Sequence, residues 1–516
     1  MHETNNKKRR PVSTRSQSME DKWLAFARTR LRIPLHASDL PMQLRAEVGT
    51  YSPYLEKNGL SVLSVETHPH LLTQGQFMFW PQDESLQDIS PPQPGSYVQP
   101  VEDRPIGIDL FAGAGGLSLG FEQAGFDIAA CVEIDPIHCA THEYNFPYSA
   151  SICASVTDLT GSEIRRRAGI GKRDIDVVFG GAPCQGFSMI GKRALDDPRN
   201  QLVSHYVRLV AELRPKYCVF ENVKGLTVGK HVQFLKELIS SLEAAGYRVA
   251  LPYRVLNAAD YGVPQNRHRL FLLAARRDQT PPGYPAPNAK KTNVAEAISD
   301  LPDADQFDRL LHCDATSVDW ETHSEYARRL RGLADDPANF GYAREFDARL
   351  LTSSLRTLHT QDSKKRFLET PAGETEPVSR FFKLASDGQC NTLRAGTDSA
   401  RGAFTSPRPI HPELPRVITV REAARLHSYP DWFRFHVTKW HGFRQIGNSV
   451  PPQLALAVAS ETIRALGLCP EKPTKPLTSG NPSLLSFTMK QAAAHFGVSP
   501  SVVGQRTRTT PEADND

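Results

Sequence analysis

Short apolar runs alternate with amphipathic segments between residues 105 and 276. Five runs are bounded by glycine, proline or asparagine, as buried strands are: IGIDLF (106–111), DIAACVEI (127–134), DIDVVFGGA (174–182), YCVFENV (217–223) and HRLFLLAA (268–275). Between them, two segments place apolar residues on one helical face: Leu202, Tyr206, Val210 and Leu213, then Val232, Leu235, Ile239 and Leu242. This alternation predicts an α/β fold with a doubly wound parallel sheet.

The pattern changes on both sides of this region. Residues 1–100 form an N-terminal extension of unassigned role that closes with the proline-rich PPQPGSYVQP, and residues 277–415 are weakly periodic, which predicts a separate, irregular domain. Regular structure resumes in 416–467, where PPQLALAVASETIRALG predicts a helix with a proline start and a glycine stop. Residues 468–516 contain a linker and a tail. Its part from 487 to 508 fits either a helix-turn-helix or a solvated helical appendage.

Composition narrows the protein class only slightly. A chain of 516 residues predicts two or more domains, and a net charge of +4 does not by itself indicate a polyanionic partner. Eight cysteines without a CxxC pair argue against a zinc ribbon or a disulfide framework, so we expect no metal site and reduced thiols, as in a cytoplasm. We expect no membrane segment, and the basic run KKRR at 7–10 fits a solvated tail better than a localisation signal or a nucleic-acid arm.

A glycine-rich loop follows the first predicted strand. Gly113, Gly115 and Gly116 precede a helix, where backbone can approach a nucleotide-like ligand, but a dinucleotide fingerprint needs glycine at the position of Ser118. Glu133 comes twenty residues after Gly113, at the end of the second strand, where a carboxylate can hold ribose hydroxyls. An adenosine-containing ligand is therefore more plausible than a pyrophosphate. The alternative is a turn that needs glycine only for steric reasons.

Chemically capable side chains follow successive strands. Cys184, in GGAPCQGFS, comes after one strand, and Glu221 ends the next, at the sheet edge where open α/β folds bind ligands. Arg267 and Arg269 are two residues apart at a strand start, so we expect them to face the same way and to clamp a phosphate or a base edge. Taken singly, a packed thiol, a helix cap and solvated arginines are the commoner interpretations. Their coincidence predicts an active site.

Six motifs carry a family resemblance. DLFAGAGG, VEID, GGAPCQGFS, FENV, QNRHR and QIGNSVPP occur in the order of the cytosine-5 DNA methyltransferases, which the chain resembles over 101–276 and 416–467. The resemblance implies a Rossmann-like S-adenosylmethionine-dependent methyltransferase sheet in 101–276, completed by 416–467. The insert 277–415 then corresponds to the target recognition domain. The first hundred and the last fifty residues lie outside the resemblance.

S-adenosylmethionine is the cofactor that this resemblance implies. Glu133 would hold the ribose, Asp158 would read the adenine amino group, and Asn448 would complete the pocket from the C-terminal segment. The same resemblance implies further cofactor contacts at Asp109, Phe111, Gly113, Gly115, Gly116, Ile134, Leu159, Pro183 and Ser449.

A covalent mechanism on an extruded cytosine is also implied. The Cys184 thiolate would add to C6, Glu221 would hydrogen-bond N3 and the exocyclic amine, and Arg269 would contact O2 with support from Arg267. The base must leave the stack, and 188–202 resembles the family's closing loop. Substrate contacts are implied at Gln185, Ser188, Arg199, Asn222 and Thr392.

These expectations describe a monomer that methylates duplex DNA in the cytoplasm, at the nucleoid, beside a restriction endonuclease with which it forms no stable complex. Three alternatives stay open: a hydride-transferring dehydrogenase, an RNA methyltransferase, and a DNA-binding regulator that acts through the tail. The catalytic motifs do not separate DNA from RNA, although the long insert favours DNA.

Overall fold

The computed structural model describes residues 104–183, 201–229, 231–396 and 408–503, together with two short backbone segments nearer the N-terminus. The chain divides into two compact units, Met1–Glu84 and Ser85–Asp516. In the first unit, Leu60–Ser61 pairs antiparallel with Trp80–Pro81.

A mixed sheet forms the centre of the second unit. Its described strands are β1 (Ile106–Leu110), β2 (Asp127–Glu133), β3 (Ala150–Cys153), β4 (Val177–Gly180), β5 (Tyr217–Val223), β6 (Tyr247–Val249), β7 (Arg254–Asn257) and β8 (His268–Arg276). The strand order is β3-β2-β1-β4-β5-β8-β6, and β7 also pairs with β8. The five predicted runs are therefore confirmed as strands, and β3, β6 and β7 are additions to them.

The expectation of a wholly parallel sheet is wrong at one edge. Strands β1 to β5 are parallel, but β8 runs antiparallel to β5, β6 and β7. Only a short connection with a single 3-10 turn, Ala258–Tyr261, joins β7 to β8, and a parallel pair would need a longer crossover. Because β8 is reversed, its first residues lie beside the last residues of β5: Arg269 pairs with Val223.

Helices cover both faces of the sheet. They are α1 (Gly116–Ala124), α2 (Pro136–Asn145), α3 (Gly161–Arg167), α4 (Gln201–Leu213) and α5 (His231–Ala244). Alternate strand residues face opposite layers: Val178 packs in the core with α4 and α5, whereas Phe179 packs in the core with α1. The predicted face of α4 is confirmed. That of α5 is rotated, because its fully buried residues are Phe234, Leu235, Leu238 and Leu242.

The insert and the C-terminal return are built from short elements. They are α6 (Val294–Ile298), β9 (Thr316–Ser317), α7 (Glu325–Leu330), β10 (Leu350–Leu351), α8 (Gln361–Glu369), α9 (Val420–Leu426), α10 (Lys439–Asn448) and α11 (Pro452–Leu466). Helix α11 begins with proline and ends at Gly467 with a positive φ of 69°, as predicted. The insert does not have an apolar core entirely of its own: Val294 and Ile298 share one with Val420 and Phe443. Packing against the return segment therefore stabilises the fold of the insert.

The tail packs on helix α2. In helix α12 (Met489–Phe496), His495 contacts Glu143 of α2 at 3.1 Å. Before this helix, Leu485 lies in a small apolar core with Tyr144 of α2. Gly497 ends α12 in a left-handed conformation, and 498–503 contain a turn and a bend but no helical residue, so they do not start the expected second helix. The arginines at 506 and 508 lie outside the described residues. No described helix is long and apolar enough to cross a membrane.

Candidate active site

The loop after β1 is tied to the next strand. The backbone amides of Phe111 and Ala112 both donate to the carbonyl of Val132, at 2.8 and 3.1 Å. Phe111 adopts a positive φ of 64°, a conformation that costs a non-glycine residue about 1–3 kcal/mol and that often marks functional sites. The loop is therefore held in one shape at the carboxyl edge of the sheet.

The three glycines of the loop serve different purposes. A Cβ on Gly115 would lie 2.5 Å from the Phe146 ring, and one on Gly116 would collide with the Val450 carbonyl. These two glycines let α2 and the return segment approach the loop. Gly113 has φ +56°, and a Cβ there would meet nothing within 4 Å. The steric alternative thus explains Gly115 and Gly116, whereas Gly113 leaves open space.

Carboxylates and an apolar side chain line the adjoining strand ends. Glu133 accepts hydrogen bonds from the amides of Gly113 and Asp135, both at 2.9 Å, which fixes its carboxylate beside the glycine loop. Ile134 is 38% exposed, unusual for a large apolar residue at a strand end. Asp158 is exposed, and its neighbour Leu159 is buried. Two carboxylates beside an apolar surface suit the hydroxyls, amino group and flat ring of adenosine.

The return segment reaches the same loop. Asn448 is the last residue of α10 and is exposed, and Ser449 follows it with its Cβ beside Gly116. The Ser449 hydroxyl donates to the Ile446 carbonyl at 2.9 Å, which holds the end of the helix. The structure therefore brings these two predicted residues to the glycine loop from more than three hundred positions away.

Asp109 differs from its expected position among the cofactor contacts. Its side chain is fully buried behind the glycine loop, and Oδ2 accepts a hydrogen bond from Ser118 at 2.6 Å. Ser118 occupies the position where a dinucleotide fingerprint has its third glycine. Its hydroxyl gives this departure a structural reason.

Glu221 and Arg269 form a buried pair at the end of β5. Arg269 Nε lies 2.9 Å from Glu221 Oε1, and both side chains are almost fully buried. Burial raises the pKa of Glu221, while the charges of Arg269 and Arg267 oppose that rise. The other carboxylate oxygen packs against Gly181, where a Cβ would lie 2.5 Å away. Glu221 therefore adjoins the segment that leads to Cys184.

Asn222 anchors the same segment through its backbone. Its side-chain amide donates to the Ala182 carbonyl at 2.9 Å. This contact gives Asn222 a positioning role next to its expected substrate role. Pro183 is exposed at the end of the described stretch. The remaining predicted residues of this region lie outside the described residues: Cys184, Gln185, Ser188 and Arg199.

Arg267 does not face the site in the way that the sequence suggested. Its guanidinium is fully buried and donates to the carbonyls of Leu393, Gly447 and Ser449 at 2.7 to 2.8 Å. Residue 267 precedes the first residue of β8, so strand alternation does not align it with Arg269. Arg267 joins the return segment to the insert and is a positioning residue.

Gln265 is a structural residue that the sequence did not reveal. Its side-chain oxygen accepts from the Leu393 amide at 3.1 Å, and its nitrogen contacts His427 Nδ1 at 2.9 Å. Thr392, beside this junction, donates to the Asn266 carbonyl at 2.6 Å. The predicted contact residue Thr392 therefore lies against the segment that leads into β8. No sequence pattern separates a buried glutamine of this kind from an exposed one.

The cysteines that the structure describes are poor candidates for a nucleophile. Six are buried and one, Cys469, is exposed at the start of the tail. Burial raises the pKa of Cys131, Cys218 and Cys390, so these thiols remain protonated. Within the described residues, no group of histidine, cysteine or acidic side chains could hold a metal ion.

Comparison with known families matches this arrangement to one enzyme class. The family model described as C-5 cytosine-specific DNA methylase matches residues 107–464. The chain belongs to this family. It is therefore a DNA cytosine-5 methyltransferase, and the dehydrogenase and RNA alternatives are set aside. The match includes the insert and the return segment and ends before the tail.

Individual relatives agree with the family assignment. The chain is similar to the type II methyltransferase M.XorII of Xanthomonas oryzae pv. oryzae, with 65% identity over 405 residues that cover 78% of this chain and 95% of the relative. It is also similar to M.AgeI of Thalassovita gelatinovora, with 33% identity that covers 69% of this chain and 98% of the relative.

A solved structure supports the fold. The chain is similar to a DNA modification methyltransferase encoded within a prophage (E. coli), with 33% identity and a TM-score of 0.59. The similarity covers 70% of this chain and 100% of that one. The mixed sheet described above is thus the Rossmann-like methyltransferase sheet of this family.

Proposed function

We propose that this methyltransferase uses S-adenosylmethionine to methylate C5 of a cytosine turned out of duplex DNA, through a covalent bond from Cys184 to C6. The Glu221–Arg269 pair is the observation that carries the proposal. It places a hydrogen-bonding carboxyl and a cation at the sheet edge, against the segment that leads to Cys184.

Covalent catalysis is needed because C5 of cytosine is a poor nucleophile. When the thiolate adds to C6, C5 gains enamine character and can take a methyl group. Solvent then takes the C5 proton, and the electron pair of the C5–H bond restores the C5–C6 double bond and expels the sulfur as the thiolate. A free thiol has a pKa of about 8.5, so Arg269 and its neighbours are suited to favour the charged form of Cys184.

Glu221 and Arg269 would hold the extruded base. A carboxyl whose pKa is raised by burial can keep a proton and donate it in a hydrogen bond to N3, while its second oxygen accepts from the exocyclic amine. Arg269 would donate to O2 and keep Glu221 oriented. These contacts become stronger as charge develops on the ring, so they favour the transition state.

The residues at the glycine loop fit S-adenosylmethionine, which supplies an electrophilic methyl group on a sulfonium. Glu133 would bind the ribose hydroxyls and Asp158 the adenine amino group, with Ile134 against the ring face. The loop at 111–116 and the pair Asn448 and Ser449 would hold the amino acid end. The exposed Ile134 next to the fixed carboxylate of Glu133 supports this assignment.

Duplex DNA requires base flipping, which costs a few kcal/mol of unstacking and unpairing. We assign closure over the flipped base to 188–202, with Gln185, Ser188 and Arg199 as contacts, and backbone contact to Thr392. The insert 277–415 would serve as the target recognition domain. These roles rest on the family motifs and on the position of Thr392 beside Asn266.

The names of the relatives, which are type II methyltransferases, support a proposal for the biological setting. We propose that the enzyme is a monomer that protects DNA at the nucleoid, in the cytoplasm, as the modification half of a restriction-modification system. The cognate endonuclease would act on the same sequence without forming a stable complex.

Product analysis tests the reaction. Purified enzyme is incubated with a tritium-labelled methyl donor and either duplex DNA or tRNA, and the nucleosides are separated. We expect label in 5-methylcytosine from duplex DNA and its loss in Cys184→Ala, with Cys469→Ala as the control at the exposed described cysteine. Label on the exocyclic nitrogen, or full activity in Cys184→Ala, would overturn the proposal.

A further inference from the structure

A buried polar chain lies behind the glycine loop. Ser118 Oγ is 2.6 Å from Asp109 Oδ2 and 3.0 Å from His142 Nε2. The three side chains come from β1, α1 and α2, and all are fully buried. The family description does not assign a role to these three hydrogen-bonded side chains.

Its two ends lack partners. Within the described residues, Asp109 Oδ1 and His142 Nδ1 are buried and have no hydrogen-bond partner. Burial raises the pKa of Asp109 to about 8 and lowers that of His142 to about 3. The titratable groups around Asp109 are Glu133 and Cys131 on β2, Glu221 on β5, Tyr206 on α4, Tyr429 after α9, and His142. None of these brings a fixed positive charge, so the geometry favours a protonated carboxyl.

The chain has two directions of hydrogen bonding. With Asp109 protonated, its hydroxyl donates to Ser118, which donates to His142 Nε2. With Asp109 ionised, His142 Nε2–H donates to Ser118, which donates to the carboxylate. Both arrangements use the same distances, so the carboxyl can change charge without moving its neighbours.

Asp109 lies between the two halves of the active site. Both Glu133, at the proposed cofactor site, and Glu221, at the proposed base site, act on its charge and raise its pKa. His142 also supports the loop, because a Cβ on Gly115 would lie 3.0 Å from its ring. A charge on Asp109 is therefore coupled to the carboxylates of both proposed subsites.

We propose that Asp109 is a proton-linked carboxyl that distinguishes the cationic cofactor from its neutral product. S-adenosylmethionine carries a sulfonium, which stabilises an ionised Asp109, so its binding releases the carboxyl proton to solvent. S-adenosylhomocysteine carries an uncharged thioether, so the proton stays on Asp109 when it binds. This inference rests on the proposed cofactor, and it would favour exchange of product for fresh cofactor.

Calorimetry with the intact enzyme measures the proton directly. Each ligand is titrated into the protein at several pH values in two buffers of different ionisation enthalpy. Both ligands have the same α-amino and carboxyl groups, but the sulfonium lowers the pKa of the α-amino group, so the comparison is drawn at pH values low enough to keep that group protonated in both. We expect S-adenosylmethionine to release up to one more proton than S-adenosylhomocysteine below pH 8. Its affinity advantage should then rise by up to tenfold per pH unit and level off above the pKa of Asp109.

Matched variants assign the proton. Asp109→Asn keeps the shape and should abolish the difference in proton release, and Ser118→Ala should shift its pH range. Ser162→Ala, an exposed serine on α3, should behave like the wild type. An infrared band of a protonated carboxyl, present near neutral pH and lost in Asp109→Asn, gives a readout without ligand.

The outcomes separate the two proposals. If neither ligand binds the folded wild type, the proposed cofactor use fails and this inference fails with it. If both bind with equal proton release, or if Asp109→Asn retains the difference, only the inference is overturned. Circular dichroism confirms that each variant is folded.

Discussion

Replacing Arg267 with methionine should destabilise the junction between the insert, the return segment and β8. The guanidinium donates to three backbone carbonyls, of Leu393, Gly447 and Ser449, and is fully buried. Methionine fills a similar volume and donates to none of them. The variant therefore removes the donors while keeping most of the packing.

The cost follows from the acceptors left behind. His427 also contacts the Ser449 carbonyl at 3.2 Å, so that oxygen retains a partner, whereas the other two carbonyls lose theirs. A buried polar group without a partner costs about 1–3 kcal/mol, so we expect a loss of about 2–6 kcal/mol in the free energy of unfolding.

Chemical denaturation followed by fluorescence measures this loss. Arg248→Met is the matched control, because Arg248 also donates to a carbonyl, that of Gln279, but on the exposed surface. Water can replace that bond, so the control should change stability by less than about 0.5 kcal/mol. If Arg267→Met is as stable as Arg248→Met, the positioning role assigned to Arg267 is refuted.

Three further changes test other parts of the structure. Gln445→Leu should lower the free energy of unfolding by about 2–5 kcal/mol, measured by denaturation against the exposed control Gln233→Leu. The reason is that Gln445 of α10 donates to the Thr141 hydroxyl and accepts a hydrogen bond from the backbone amide of His436. Gly116→Ala should weaken cofactor binding about tenfold in calorimetry while leaving DNA affinity less affected, because its Cβ would meet the return backbone. Burial alone would raise the pKa of Glu422, but Arg416 outweighs it and lowers that pKa to about 2. The resulting stabilisation exists above the unfolded pKa near 4.5 and is lost as pH falls, so the advantage over Glu422→Gln should shrink by about 3 kcal/mol between pH 7 and pH 2.

Periodicity was sufficient to predict most of the sheet and the edge that carries the site. Apolar runs bounded by turn residues identified β1, β2, β4, β5 and β8 because most residues of each strand are apolar and buried. The direction of β8 was not predictable from its composition, since an apolar run reads the same in parallel and antiparallel sheets. That direction is what brings Arg269 beside Glu221.

Long-range hydrogen bonds account for what the sequence did not reveal. Arg267 and Arg269 are two residues apart, but β8 begins between them, at His268. Arg267 therefore binds backbone carbonyls, whereas Arg269 pairs with Glu221 at the proposed base site. Gln265 and Ser118 likewise have roles set by partners far away in the chain. The apolar core that the insert shares with the return segment is also hidden, because the insert by itself is only weakly periodic.

A mechanism-based trap detects the covalent bond between Cys184 and C6 itself. A mixed library of duplexes with 5-fluorocytosine in place of cytosine is incubated with the enzyme and S-adenosylmethionine, and the products are analysed by denaturing electrophoresis and peptide mass spectrometry. Fluorine at C5 leaves no proton to remove, so the S–C6 bond cannot be eliminated. We expect a denaturation-resistant protein–DNA complex that is linked through Cys184 and is absent in Cys184→Ser. Methylation of normal duplexes without any trapped complex, or a link to another residue, would contradict it.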